Sequence, residues 1–163
     1  MPAPTPSDCG EIVVPPEWID YSGHLNIGYY LLAFEGAATR YMNTLDLSQA
    51  YRERTDHALF ALETHINFLR EATEGDRLAF TAQLLGHDEK RVRTFFRMHH
   101  EDGTLAATNE VMYLHVDTQA RRSAPLPADR VAVLDDAYAA HAKLDWPAQA
   151  GRAIGFPEKK ATA

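Results

Sequence analysis

The feature that most constrains the fold is one apolar helix pattern followed by a series of strand-length stretches. Apolar residues recur at three- and four-residue spacing from Leu25 to Met42, which predicts a helix that fades over residues 43–46. From His57 the apolar period changes to two, and it continues over residues 77–86, 91–100 and 104–117. Tight turns separate these stretches, with Asp102-Gly103 the clearest hairpin signal. This order predicts an α+β fold with a largely antiparallel sheet wrapped around the helix.

The predicted helix has a defined buried face, and so does the first long strand. On the helix, the residues that share a face are Ile27, Tyr30, Leu31, Phe34, Ala38, Tyr41 and Met42. On the strand that starts at His57, one face is predicted to hold Phe60, Leu62, Ile66 and Phe68.

The other segments give weaker signals. Residues 1–10 are predicted to be a loose lead-in, and residues 12–14 a short strand that Pro15 ends. Residues 47–54 form either a short second helix or an irregular lid. Residues 128–144 predict an Ala-rich C-terminal helix, with Val131, Leu134, Tyr138 and His141 on one face. At 163 residues, the chain is predicted to be a single domain over 1–163, in which 128–163 forms this helix and a tail.

Composition excludes several classes of function. The net charge of −7 gives no indication of nucleic-acid binding or of a basic membrane surface. Cys9 is the sole cysteine, so we expect no intrachain disulfide and no thiolate metal cluster. His99 and His100 point to opposite faces of a strand and His115 has no paired ligand, so we expect no metal site. The sequence has no Gly-x-Ser-x-Gly nucleophile motif, no signal-peptide pattern and no apolar run of ~20 residues, so we expect a cytoplasmic protein.

The loop before the predicted helix concentrates polar side chains. Asp20, His24 and Asn26 lie within seven residues, immediately before the helix begins. The first N–H groups of a helix have no partner inside it, so those around Ile27 and Gly28 could stabilise an oxyanion. A carboxylate, an imidazole and an amide at such a position are the components of an acyl-transfer site, although helix capping alone would also explain these residue types.

These residues carry a resemblance to a known family. DYSGHLN, followed by Tyr30, resembles the Asp-x-x-Gly-His-x-Asn…Tyr signature of the hotdog-fold thioesterases, in the 4-hydroxybenzoyl-CoA thioesterase-like group. The resemblance implies a curved antiparallel sheet around a long central helix, hydrolysis of an acyl-CoA without a cofactor, and a homodimer or homotetramer with sites at the subunit interface. It also implies that Asp20 is the nucleophile or activates a water, while His24 and Asn26 shape the site. Many members carry a second Asn where this chain has Ile27.

The acyl group is predicted to meet aromatic side chains. The rings that flank Asp20 are Trp18, Tyr21, Tyr29 and Tyr30, and they could enclose an aromatic or fatty acyl group or a quaternary ammonium. A second resemblance favours the ammonium. VMYLHVDTQARRSAPLP and PAQAGRAIGF are similar to the thioesterases of carnitine degradation, which release glycine betaine from betainyl-CoA.

Two further groups of polar residues are predicted to complete the site. Glu63 and His65 share a face of the first long strand, which in hotdog proteins crosses near the partner's helix, although ordinary solvent exposure also explains them. Arg91, Arg93 and Arg97 share a face of another strand and could hold the CoA phosphates. Arg121 and Arg122 are equally possible for the nucleotide, and an open charged sheet face is the plain alternative for the strand arginines. A non-catalytic acyl-CoA-binding module is the competing function.

Overall fold

The computed structural model describes residues 5–156 as a six-stranded antiparallel sheet with three α-helices. In chain order the elements are β1 Ser7–Val13, α1 Ile27–Thr44, α2 Gln49–Thr55, β2 His57–Phe68, β3 Arg77–His87, β4 Arg91–His100, β5 Leu105–Asp117, β6 Arg122–Ser123 and α3 Ala128–His141. The strands are arranged β1-β3-β4-β5-β2, and β6 pairs with β5. The predicted α+β class and antiparallel sheet are therefore confirmed. Within this part of the chain, no helix has the length and apolarity needed to cross a membrane.

The core lies between α1 and the inner face of the sheet. Phe34 of α1 meets Phe80 of β3 edge-to-face at 5.7 Å, and Tyr41 meets Phe96 of β4 at 6.2 Å. All four rings are buried, so truncating any one to Ala would cost about 3–5 kcal/mol. This packing fixes α1 against the sheet, and it thereby fixes the position of the helix N-terminus.

Helix α1 starts later and buries a narrower face than the apolar pattern predicts. It begins at Ile27 because the Asn26 side-chain Oδ1 accepts the Gly28 N–H at 2.9 Å and caps the helix. Leu25 instead forms a bridge with Ile19. The prediction that Ile27 and Leu31 are buried with the rest of the face is wrong, because they are 69% and 45% exposed.

Strand β2 lies at an edge of the sheet and contains an irregularity that exchanges its faces. Ala61 pairs with Tyr113 but Glu63 pairs with Met112, so Leu62 is an extra residue in the strand. A one-residue shift reverses which side chains face the core. The prediction that Phe60 shares a face with Ile66 and Phe68 is therefore wrong. Phe60 and the extra residue Leu62 are 54% and 57% exposed.

The remaining differences lie near the ends of the chain and in its connections. The loose lead-in predicted for residues 1–10 is wrong from Ser7 onward, where β1 pairs with β3; residues 1–4 are outside the described part. The segment 47–54 contains helix α2, which decides between the two alternatives. Helix α3 ends at His141 rather than at residue 144, and Tyr138 on the face shared with Leu134 is 41% exposed. The tail beyond residue 156 is likewise outside the described part.

Candidate active site

A tight turn brings the Asp20 carboxylate back toward the start of α1. The Asp20 N–H donates to the His24 carbonyl at 2.9 Å, and the Gly23 N–H donates to the Asp20 carbonyl at 3.0 Å. Gly23 has a φ of +84°, in the left-handed region that glycine adopts without strain. The Asn26 N–H closes the turn by donating to the Trp18 carbonyl at 2.9 Å. Asp20 is consequently held in a loop whose two ends are joined.

The Asp20 carboxylate is kept ionised by hydrogen bonds. Its Oδ1 accepts the Ser22 hydroxyl at 2.5 Å and the Ser22 N–H at 2.8 Å. The hydroxyl bond, followed by the N–H bond, lowers the pKa of Asp20 below its ordinary value. Both bonds end on Oδ1, so they leave Oδ2 open for chemistry.

His24 connects this loop to the segment after β2. Its Nδ1 lies 3.2 Å from the Ser22 Oγ, and its Nε2 lies 3.0 Å from the Glu71 Oε2. Asp20, Ser22, His24 and Glu71 therefore form a continuous line of hydrogen-bonded side chains, called here the Asp20–Glu71 chain. Glu71 was not among the residues expected at the site, since it follows β2 without any periodic or motif signal.

The start of α1 offers one free backbone donor. Of the two amides expected to stabilise an oxyanion, the Gly28 N–H is already bonded to the Asn26 side chain. Within residues 5–156 the Ile27 N–H has no hydrogen-bond partner. Asn26 thus acts as the helix cap, and Ile27 supplies the donor at the positive end of the helix dipole.

A cavity of about 390 Å³ brings several of the predicted residues together. Asp20 and His24 line it from the loop, Ile27 and Tyr30 line it from α1, and the segment at the end of β2 closes it. Its full lining is Asp20, His24, Leu25, Ile27, Tyr30, Phe68, Leu69, Arg70 and Glu71. The Tyr30 and Phe68 rings meet edge-to-face at 5.0 Å, and burial raises the pKa of Tyr30. Asp20, Ile27 with its free N–H, and the Tyr30 and Phe68 rings therefore line one cavity.

The other aromatic residues predicted for the acyl group lie elsewhere. Trp18 stacks on Tyr29 at 5.1 Å, and neither lines the cavity. The Tyr21 side chain is fully exposed. Of the four predicted rings, Tyr30 alone lines the Asp20 cavity.

Glu63 and His65 lie on the face of β2 that points away from α1. Thr64, between them, lines a second cavity beside α1, so its two neighbours face the other way. In cross-strand register, Glu63 is opposite Met112 and His65 is opposite Glu110. Neither residue approaches the Asp20 cavity of its own chain.

The three strand arginines share a face of β4, as predicted, but each has a partner within the chain. Arg91 pairs with Asp88 at 2.7 Å. Arg93 pairs with Glu110 at 2.5 Å and lies over the Trp146 ring. Arg97 donates to the Gln83 Oε1 at 2.8 Å, and burial lowers its pKa. The Glu110 and Trp146 contacts hold Arg93 beneath the segment that follows α3.

The second cavity, about 950 Å³, lies between α1, α2, β2 and β5. Leu31 and Glu35 line it from α1, and Thr64 and Asn109 from the sheet. The Thr64 hydroxyl donates to the Asn109 Oδ1 at 2.6 Å. Sequence patterns do not reveal this cavity, because it depends on how α2 packs.

The histidines considered for a metal site are placed separately. His115 is fully buried, and its ring nitrogens lie 2.9 Å from the Tyr51 hydroxyl and 2.9 Å from the Ala124 carbonyl. His99 is half-buried, whereas His100 bonds to the Glu71 carbonyl at 3.1 Å. Among residues 5–156, no three His, Cys, Asp or Glu side chains are grouped so that they could hold a metal ion.

Comparisons with known proteins give a consistent result. The thioesterase-like superfamily profile matches residues 14–137. Betainyl-CoA thioesterase from Pseudomonas aeruginosa is 41% identical over 152 residues, which cover 90% of this chain and 93% of that protein. L-carnitine dehydrogenase/betainyl-CoA thioesterase from Rhizobium meliloti is 42% identical over 139 residues, which cover 85% of this chain and 28% of that protein.

A solved structure also resembles this chain. A hypothetical protein from Staphylococcus aureus, solved in complex with CoA, has a TM-score of 0.86 and 31% identity, covering 96% of this chain and 100% of that chain.

Proposed function

Because this chain belongs to the thioesterase-like superfamily and is a thioester hydrolase, we propose that it hydrolyses betainyl-CoA to glycine betaine and CoA. The observation that carries the proposal is the cavity in which the Asp20 carboxylate, the free Ile27 N–H and the Tyr30 ring converge. The similarity to the Pseudomonas aeruginosa betainyl-CoA thioesterase over nine-tenths of the chain supports the choice of acyl group.

The chemistry uses the ionised Asp20 and the start of α1. The thioester carbonyl oxygen accepts the Ile27 N–H and gains negative charge there as the carbonyl carbon is attacked. In one route Asp20 Oδ2 attacks, CoA leaves as the thiolate, and water then hydrolyses the acyl–Asp20 anhydride. In the other route Asp20 takes a proton from the water that attacks. Both routes consume one water, release acid and CoA, and need no cofactor.

The covalent geometry of a betainyl group places its cation in this same cavity. One methylene separates the nitrogen from the carbonyl carbon, so the two atoms are about 2.5 Å apart. The trimethylammonium must therefore contact the walls around Asp20. The Tyr30 and Phe68 rings and the Asp20 carboxylate suit a cation that cannot donate hydrogen bonds. Arg70, which also lines the cavity, has the same sign of charge as the ammonium and disfavours its binding.

Assembly as a homodimer or homotetramer is part of the proposal. Large apolar side chains are exposed along the β2 edge and the neighbouring flank of α1: Ile27, Leu31, Leu32, Phe60, Leu62, Phe68 and Leu69. An exposed strand edge of this kind invites pairing with a second chain. Several of these residues also line the two cavities, so the partner would close the sites. In such an assembly Glu63 and His65 would contribute to the partner's site.

The CoA phosphates are proposed to bind the arginine face of β4. Arg91 is the exposed member, and its ion pair with Asp88 is open to exchange. Arg93 and Arg97 would have to leave their intrachain partners. Arg121 and Arg122, both exposed just after the C-terminal end of β5, are the alternative. The cytoplasmic location stays a prediction.

The test is release of free thiol from a panel of CoA esters, with 3,3-dimethylbutyryl-CoA as the neutral match for betainyl-CoA. This ester replaces the nitrogen by carbon and keeps the shape, so it isolates the contribution of the charge. We expect betainyl-CoA to have the highest kcat/KM. A higher kcat/KM for the neutral ester or for an aromatic or fatty ester would contradict the betainyl assignment. Binding without release from any ester would favour the non-catalytic module instead.

A further inference from the structure

We propose that Glu71 and Ser22 are positioning residues for Asp20. Glu71 acts through His24 and Ser22 acts directly, and together they hold the Asp20 carboxylate in place. The inference rests on the proposed function of Asp20. Its basis is the Asp20–Glu71 chain, in which consecutive side chains lie 2.5, 3.2 and 3.0 Å apart.

Counting protons fixes the direction of each bond in this chain. The Ser22 hydroxyl has one proton, which it donates to the Asp20 Oδ1. The Ser22 oxygen can therefore only accept from the His24 Nδ1–H. The Glu71 carboxylate can likewise only accept, so the His24 Nε2 is the donor of that bond. In this arrangement the His24 ring links the Ser22 oxygen to the Glu71 carboxylate.

Glu71 can hold the Asp20–Glu71 chain in place because hydrogen bonds fix the backbone on both sides of Glu71. The Leu25 N–H donates to the Ala72 carbonyl at 2.7 Å, which joins the Glu71 segment to the loop before α1. His100 bonds to the Glu71 carbonyl at 3.1 Å. The Arg70 N–H donates to the Ala106 carbonyl at 3.0 Å. The side chain of Glu71 therefore starts from a fixed point on the sheet.

The charged and titratable groups that face His24 across the cavity are Asp20, Tyr30, Arg70 and Glu71. Of these, Asp20 and Glu71 alone reach its chain of hydrogen bonds. Without the Asp20–Glu71 chain, the Asp20 carboxylate keeps its bond from the Ser22 N–H but rotates more freely about its side-chain torsions. Oδ2 then spends less time in line with the carbonyl carbon, which lowers the rate of the chemical step.

The Asp20–Glu71 chain is too exposed for a contribution to the free energy of folding to explain it. The His24 and Glu71 side chains are 41% and 73% exposed, and ion pairs at such positions contribute little to folding. A role in positioning Asp20 therefore predicts a loss of rate in variants that remain as stable as the wild type. A merely structural role predicts no loss of rate without a loss of stability.

The test compares Glu71→Ala, Glu71→Gln, Ser22→Ala and Ser22→Thr, with the exposed Glu74→Gln as the matched control. We expect kcat to fall about tenfold in Glu71→Ala and Ser22→Ala, with KM little changed. Glu71→Gln keeps an acceptor and should lose less, and Ser22→Thr keeps the hydroxyl and should recover the rate. The losses should be equal for betainyl-CoA and 3,3-dimethylbutyryl-CoA.

Three results would overturn the inference. Wild-type kcat in both Glu71→Ala and Ser22→Ala would do so, as would a loss confined to KM. A loss confined to the cationic ester would make Glu71 a substrate contact instead. Asp20→Asn distinguishes failure of the positioning role from failure of the proposed role of Asp20. If Asp20→Asn is inactive while the Glu71 and Ser22 variants are normal, the positioning role alone fails. If Asp20→Asn is active, the proposed role of Asp20 fails with it.

Discussion

The rings of His24 and His115 each have two hydrogen-bond partners, but the two rings lie in very different settings. His24 lies in the loop before α1, between the Ser22 hydroxyl and the Glu71 carboxylate. His115 is fully buried on β5, between the Tyr51 hydroxyl and a backbone carbonyl. The partners of His24 are charged or lead to a charge, whereas those of His115 are neutral.

The partners of His115 determine which of its ring nitrogens carries the proton. The Ala124 carbonyl can only accept, so the His115 Nδ1 donates to it and Nε2 accepts the Tyr51 hydroxyl. Burial then lowers the pKa of His115, which keeps the ring neutral. His115 thus joins α2 and β5 to the segment that follows β6. Partner charge and burial, not residue type, therefore separate the histidine proposed to serve the reaction from the one that serves the fold.

The largest expected effect on stability is at His115. His115→Ala removes a buried ring and leaves the Tyr51 hydroxyl and the Ala124 carbonyl without partners. We expect the free energy of unfolding to fall by about 3 kcal/mol, measured by urea denaturation. At a temperature where the variant is still folded, kcat should match the wild type. A decrease below about 1 kcal/mol would show that His115 is not the support inferred here.

The opposite result is expected at His24. His24→Ala breaks the Asp20–Glu71 chain at its centre, so kcat should fall about tenfold or more. Because the ring is partly exposed, the free energy of unfolding should change by less than about 0.5 kcal/mol. Parallel measurement of thiol release and urea denaturation checks both. A variant with normal kcat and reduced stability would reverse the comparison.

A smaller effect on the free energy of unfolding is expected when the pH is lowered. Burial lowers the pKa values of His99, His115 and His141, with Arg97 adding to the effect at His99 and His141. The unfolded chain takes up these protons near pH 6.5 and the folded chain does so only at lower pH. The free energy of unfolding should therefore decrease as pH falls below about 6.5, seen as a lower melting temperature.

His115→Phe offers a control for this acid effect. The variant removes one of the three groups that take up a proton on unfolding, so its melting temperature should depend less on pH between neutral and mildly acidic solution. An unchanged pH dependence would assign the acid effect to other groups.

The smallest expected effect is a shift in the pH profile. The Ser22 hydroxyl lowers the pKa of Asp20, so Ser22→Ala should raise that pKa toward its ordinary value. Under the proposed role of Asp20 the rate depends on its ionised form, so the decline of kcat/KM in acid should begin at higher pH in Ser22→Ala than in the wild type. Ser22→Thr should retain the wild-type profile. Identical acid limbs in Ser22→Ala and wild type would contradict the assignment of Asp20 to this limb.

Sequence patterns predict much of this molecule, and particular residues show where they stop. The period of two along β3 predicts Leu78, Phe80, Ala82 and Leu84 on one face, and all four are buried. Period alone cannot reveal the extra residue Leu62 or the edge position of β2, because both depend on pairing with β5. Asp20 stands out through the motif that carries the family resemblance. Glu71 reaches His24 from a distant part of the sequence, so only the folded chain shows it.

The measurement that tests the account most directly is the rate of thiol release by Asp20→Asn. The variant keeps the size of the side chain and removes the carboxylate that both proposed routes require. We expect kcat on betainyl-CoA to fall by at least about a hundredfold, with an unchanged circular dichroism spectrum and melting temperature. Turnover within a few-fold of the wild type would contradict the account, because the reacting group would then lie outside the loop before α1.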